Sequence, residues 1–335
     1  MDWVLWLVAL TPLGLPVGVL MVDRILGIPA PKLFTYLGIP ATVVYLGLGA
    51  YAVAAAHPLL ELLGWGLIGG IIATAFLDVV RLIGVRFHAF PMDMPVMFGV
   101  ISLGLAPRLQ QNMIGAMVGA MAELPPARRR AMMAERLRAL PRLPEPQRVM
   151  VVGAMRKGLA RLPEEARLAL MTTQMELLSE LPGEARRKVM AAIDAAMLDG
   201  AGTYGQPRGM PQIPMASFRQ LMGRAYPRTL AEGGISHRTV AWRGYLWHFL
   251  IGSTFGITYT LLFGSGSWPL AFGWGIFVWF SMMVSMPPMM PLVKFSWWFP
   301  IVPFLAHLAM AIPIGHFAGF VSPAGTAVSL LGLLR

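Results

Sequence analysis

The sequence predicts an all-α protein: a polytopic α-helical membrane bundle with an inserted α-solenoid of 19-residue helical repeats. Three observations carry that prediction. Hydrophobic residues make up 56% of the 335 and charged residues 13%, against about 25% charged in ordinary soluble domains. Apolar stretches near the ~20 residues that a bilayer core demands lie on both sides of the middle of the chain. Between them one phrase recurs at a fixed period: Leu124-Pro125, Leu143-Pro144, Leu162-Pro163 and Leu181-Pro182 are each 19 residues apart.

The amino-terminal membrane part covers 1–106, with spans expected at 3–22, 33–55 and 62–85. Met1-Asp2-Trp3 lacks the basic n-region of a secretory signal, so the first span is expected to stay as an anchor. A further apolar piece, 90–106, is short and interrupted by Pro91, Asp93 and Pro95, which predicts a half-inserted segment.

The helical array covers 107–199. Proline is tolerated at the first turn of a helix and clashes in its interior, so each Leu-Pro opens a new helix. Four residues after each proline stands an arginine: Arg129, Arg148, Arg167 and Arg186. An apolar pair follows (Met132-Met133, Val151-Val152, Leu170-Met171, Val189-Met190), and Leu140, Leu159, Leu178 and Met197 close the units at helical spacing. Such a period marks an array whose units bury one another's apolar faces. Leu105-Ala106-Pro107 lies one period upstream, and Met113, Met117 and Met121 continue a stripe, so a degenerate first unit is expected there. Residues 124–161 carry ten basic and two acidic side chains, whereas 162–199 carry four basic and seven acidic. Opposite signs fit one end facing the bilayer and the other a protein; a solvated surface of drifting sign fits nearly as well.

A connecting part, 200–242, follows. Its Gly- and Pro-rich stretch 200–217 reads as a linker. The stretch 218–228, with Arg219, Arg224 and Arg228, suits an amphipathic helix at the membrane interface. The carboxy-terminal membrane part, 243–335, holds spans at 245–263, 268–286 and 298–321.

Charge sets the orientation. Arg24, Lys32, Arg81, Arg86 and Lys294 share one side with the array and with Arg238 and Arg243, provided 90–106 does not cross. The other side keeps Asp2, Glu61 and the uncharged turn Gly264-Ser265-Gly266-Ser267. The expected location is thus a bacterial cytoplasmic membrane, multi-pass, with the array in the cytoplasm. A net charge of +11 would also suit nucleic acid, but no aromatic–basic stacking motif accompanies it. Anionic lipid at the cytoplasmic face is the expected partner of these charges, and nucleic acid is not.

Inside the spans, Gly14/Gly18, Gly66/Gly70, Gly252/Gly256 and Gly315/Gly319 are small-residue pairs four apart, which let helices approach closely. The ionisable residues there are Asp78, Arg81, His248, His307 and His316, and Asp93 in the broken segment could reach the same layer. Asp78, Arg81, Asp93, His248 and His307 form the candidate intramembrane polar cluster. Three roles compete for it: hydrogen bonds that hold the bundle, axial ligation of a haem by His248 and His307, or a proton or ion path. The methionine runs Met92/Met94/Met97 and Met282/Met283/Met286/Met289/Met290 could serve Cu(I), but methionine is as frequent in the array, where it is ordinary filler. No resident cofactor or metal is expected. The absence of cysteine excludes disulfides and thiolate metal sites. Trp3, Trp6, Trp242, Trp247, Trp268, Trp297 and Trp298 read as interface anchors.

No nucleophile elbow, phosphate loop, paired-His zinc motif or dinucleotide fingerprint occurs, so no enzyme is expected. The phrase from Gly66 to Asp78 resembles the opening of an uncharacterised family of small polytopic bacterial membrane proteins. His248 with Gly252/Gly256, Gly273-Trp274-Gly275 through Met286-Pro287, and Ala306-His307 resemble that family's later spans. The likeness runs over 66–104 and 244–320 and implies no activity. The Leu-Pro array is similar to the cytoplasmic helical superhelix of a magnesium channel family, which senses magnesium through clustered carboxylates. Here Glu164, Glu165 and Glu184 are few and arginine dominates, so that sensing is not implied.

The expected role is a non-catalytic accessory or scaffolding subunit of a larger membrane complex. The array would dock other membrane protein subunits, with Arg129, Arg148, Arg167 and Arg186 as candidate docking residues. The rival readings are a transporter or channel past Asp78, Asp93, His248 and His307, and a haem- or quinone-binding redox subunit.

Overall fold

The computed structural model describes residues 2–26, 28, 30–198, 212–290 and 292–334. The amino-terminal segment breaks where the sequence sets two prolines. Helices α1 (Asp2–Leu10) and α2 (Leu15–Leu26) are joined by a 3-10 turn, Thr11–Gly14. Pro12 and Pro16 bring no amide hydrogen, so the ladder cannot run through. The expected span at 3–22 is therefore interrupted, and its apolar portion is Leu7–Val19.

Next come α3 (Ala30–Leu33), a π turn (Phe34–Gly38) and α4 (Ile39–Ala54), which run on as one helix, then α5 (Leu59–Arg86) and α6 (Met94–Ser102). At ~1.5 Å per residue, the nine residues of α6 span about half of a bilayer core. The array follows as α7 (Ala106–Ala122), α8 (Pro126–Ala139), a 3-10 turn (Leu140–Arg142), α9 (Glu145–Leu159), α10 (Glu164–Ser179) and α11 (Gly183–Leu198). Then come β1 (Ile213–Pro214), α12 (Met215–Gly233), α13 (His237–Phe263), α14 (Trp268–Met289), β2 (Val293–Lys294), α15 (Ile301–Ala318), α16 (Pro323–Ala327) and α17 (Leu330–Leu333). Among the described residues five helices are long and apolar enough to cross a membrane: Ala30–Ala54, Leu59–Arg86, His237–Phe263, Trp268–Pro287 and Ile301–Ala318. Six were expected, and the broken first segment is the difference.

Glycine organises the bundle around α5. Gly66 and Gly70 face Gly256 and Gly252 of α13 so closely that a Cβ on Gly256 would lie 2.2 Å from the Gly66 carbonyl. Thr260 Oγ1 closes the contact by donating to the Leu62 carbonyl at 2.7 Å. A second α5 face meets α15, where Gly69 abuts Phe317 and Gly84 abuts Val302. Helix α15 in turn meets α14: Gly275 lies against His307, Gly315 against Trp268 and Ala271, and Trp279 Nε1 donates to the Pro300 carbonyl at 3.0 Å. These pairings run α5 antiparallel to both α13 and α15. Gly14 and Gly18 have nothing within 4 Å, so the same spacing there carries no contact.

The array has its own apolar core, which includes Val118, Met133, Leu140, Val151, Leu170, Leu178 and Val189. Pro125, Pro144 and Pro163 sit at N-caps, one step before the expected first turn. Each repeat proline's carbonyl accepts from the backbone of its arginine: Arg129 at 2.9 Å, Arg148 at 3.0 Å, Arg167 at 2.9 Å and Arg186 at 2.9 Å. Helices α7, α9 and α11 pack side by side in one row, and α8 packs beside α10.

Residues 199–211, most of the expected linker, lie outside the described residues. Its end does not behave as a linker: β1 pairs in parallel with β2, Ile213 against Val293. Helix α12 buries Met215, Phe218, Leu221, Met222 and Ala225 and packs on α7. Its apolar face is therefore occupied by protein, where lipid was expected. Packing against α7 satisfies the same apolar stripe that would otherwise seek a bilayer.

Candidate functional site

The polar cluster assembles at the end of the α5–α13 contact that faces the array. Arg81 is 2% exposed and gathers the set. Its Nε donates to Asp78 Oδ1 at 2.6 Å, its Nη1 pairs with Asp93, and its Nη2 donates to the Tyr245 hydroxyl at 3.0 Å. His248 Nε2 donates to the same Asp78 oxygen at 2.8 Å. The guanidinium also lies over the Tyr245 ring, 5.7 Å from its centroid.

Local structure explains each placement. Asp78 and Arg81 are one turn apart on α5, and Tyr245 and His248 one turn apart on α13, so two i, i+3 pairs face each other. Asp93 is the N-cap of α6, yet its side chain caps nothing; its carboxylate goes to Arg81 instead. Helix α6 can come this near because Gly99 and Gly244 let it cross α13: a Cβ on Gly244 would stand 1.7 Å from the Pro95 carbonyl.

Four of the five expected residues thus meet: Asp78, Arg81, Asp93 and His248. His307 is buried on α15, but its Nδ1 donates to the Pro303 carbonyl at 2.6 Å, and among the described residues no hydrogen bond joins it to the others. Tyr245 was missed. Its signal was present, three residues before His248, but a tyrosine near a span end reads first as an interface residue. Axial haem ligation would call on His248 Nε2, which Asp78 already holds. Among the described residues no group of three His, Cys, Asp or Glu could hold a metal ion. Met92, Met94 and Met97 of the first methionine run and Met282, Met283, Met286 and Met290 of the second enter one apolar cluster with Phe90, Val100 and Phe299, where Met94, Met97, Met286 and Met290 are buried.

A second polar set ties α12 to the array. Glu232 Oε2 accepts from Asn112 Nδ2 at 2.9 Å, and its Oε1 pairs with Arg161 at 3.1 Å and Arg228 at 3.0 Å. Burial pushes the Glu232 carboxyl up, but the Asn112 and Arg228 hydrogen bonds and the Arg161 charge outweigh it and hold the group below the usual carboxylate range. Arg224 forms a two-pronged pair with Glu123 at 3.0 and 3.1 Å, which also holds the Glu123 carboxyl low. Arg219 donates to the His88 carbonyl at 2.8 Å. All three arginines expected to face lipid headgroups therefore have protein partners.

The repeat arginines do not form one outward row. Arg148 is buried and its Nη1 donates to the Leu143 carbonyl at 3.1 Å, Arg129 and Arg167 are half-buried, and Arg186 is exposed. Arg148 is thus occupied by its own turn. Comparison with known proteins gives no bearing on these sites: no family model, no curated protein and no solved structure matches the chain.

Proposed function

We propose that the chain is a non-catalytic integral membrane protein that serves as an accessory or scaffolding subunit, its helical array forming an α-solenoid platform for a partner. The observation that carries this reading is the attachment of the array. Polar links from α12 reach α7 and α9 through Glu123, Asn112, Arg161 and Glu232, and reach the bundle through the His88 carbonyl. A platform held in this way presents a fixed surface to another subunit. The basic residues Lys32, Arg86, Arg238, Arg243 and Lys294 lie at the array's end of the spans, with Phe87 at 74% exposure, Trp242 at 68% and Trp297 at 86%. That belt suits a headgroup layer on the cytoplasmic side, with anionic lipid against it.

Mass spectrometry of the gently solubilised native assembly tests the reading. A stoichiometric complex with other membrane subunits is expected; a chain recovered alone or as a symmetric homodimer would overturn it.

One observation favours a second reading, a proton-coupled transporter. Two carboxylates, Asp78 and Asp93, face a single guanidinium, so the buried set is neutral only with one further proton, on His248 or on a carboxylate. Proton-driven flux in liposomes that Asp78→Asn abolishes would replace the scaffold with a transporter.

A further inference from the structure

The two helices that end the array expose apolar side chains at one-face spacing. On α10, Leu168 is 54% exposed, Met171 48% and Met175 65%; on α11, Met190 is 41% and Met197 61%. Leu168, Met171 and Met175 recur at i, i+3 and i+7, a single stripe, and the buried Leu170 and Leu177 lie on the other side of the helix. The beginning of the array has no such surface, because α12 covers α7. An array needs a polar outer face where it ends, and this one has an apolar face instead.

The charges beside the stripe identify what covers it. Glu164 and Glu165 stand in the first turn of α10, and neither forms an ion pair among the described residues. Helix α10 carries Glu164, Glu165 and Glu176 against Arg167 alone, so an anionic bilayer would be repelled there and a basic partner drawn to it. Methionine-rich apolar stripes bind the apolar face of a partner helix.

We infer that the α10 stripe is the docking surface for an amphipathic helix of another protein, with apolar anchors on one face and lysine or arginine beside them. The inference rests on the docking role proposed above and assigns it to one face.

The probe is a fluorescent synthetic helix with leucines at i, i+4 and i+7 flanked by lysines, and its counterpart with glutamates in place of the lysines. Each is titrated against the full chain in phosphatidylcholine nanodiscs, and against Met171→Gln/Met175→Gln, with circular dichroism confirming that the variant folds. The lysine helix should bind the unaltered chain on the order of tenfold more tightly than the variant, while the glutamate helix should not distinguish them. Equal binding of the lysine helix to both chains, or equal binding of the two helices, would overturn the assignment. In native membranes, a photo-crosslinking residue is placed at Met175, Arg128 or Arg186. A protein adduct at Met175 is expected. Adducts at Arg128 or Arg186 with none at Met175 would overturn this assignment and leave the docking role standing, whereas no protein adduct at any position would overturn both. An adduct at Met175 to lipid or to a second copy would assign the stripe to that occupant and overturn the inference.

Discussion

The Arg81 set in the bundle and the Glu232 set at the array use the same groups in opposite surroundings. In the first, glycines bring α5, α6 and α13 close enough to seal a guanidinium at 2% exposure. In the second, Arg161 and Glu232 each keep 37% of the side chain exposed. Burial decides what an ion pair does. Removing one partner of a sealed pair strands a charge in low dielectric, whereas an exposed pair is screened by water and salt. The bundle set fixes the fold, and the array set fixes a position.

The largest expected effect breaks the sealed set. Arg81→Met leaves Asp78 and Asp93 without their cation and should cost about 3–5 kcal/mol, read from unfolding in detergent. Adding Asp78→Asn and Asp93→Asn removes the stranded charges and should return a large part of that loss. If the triple variant is no more stable than Arg81→Met, charge balance is not what holds the set. Next in size is Gly256→Ala, whose Cβ would collide with the backbone of Gly66 and Gly70. Forced overpacking of this kind costs about 1–3 kcal/mol. Gly14→Ala, at a glycine pair of the same spacing, has open space around it and should change nothing measurable. Equal losses at the two positions would refute the contact between α5 and α13.

The pair Gly14/Gly18 also shows what a sequence leaves open. Spacing reports that a helix can be approached, not whether another helix arrives. Helix existence was legible, because apolar runs and Leu-Pro punctuation act locally: each repeat proline does accept the first helical hydrogen bond. The meeting of Asp78, Arg81, Asp93 and His248 was legible from polarity inside apolar runs. The orientation of His307 was not, since its partner is a carbonyl on its own helix. The burial of Arg148 was not legible either, because it depends on how far the Leu143 turn lies from water. The surroundings of α12 were misjudged for a related reason: an amphipathic stripe looks the same whether lipid or another helix covers it.

The smaller effects test whether the array set is adjustable. Glu232→Gln weakens two exposed ion pairs and should change stability by about 1 kcal/mol or less, with the difference shrinking in high salt. Its visible consequence should be positional. With no cysteine in the chain, spin labels can be placed cleanly at Lys188 and Trp242, and their distance distribution should broaden in the variant. Acid should produce the same broadening in the unaltered chain. Glu123 and Glu232 are held below the usual carboxylate range in the folded protein, so their contribution is complete above the ordinary carboxylate pKa of about 4.3. It is lost as pH falls through the lowered values and each side chain takes up a proton. The distance should therefore stay sharp at neutral pH and broaden only in acid below that ordinary range. Broadening already between neutral pH and the ordinary carboxylate range would assign the array's attachment to groups other than these two carboxylates, and the contrast between sealed and exposed pairs would no longer explain how the array is held.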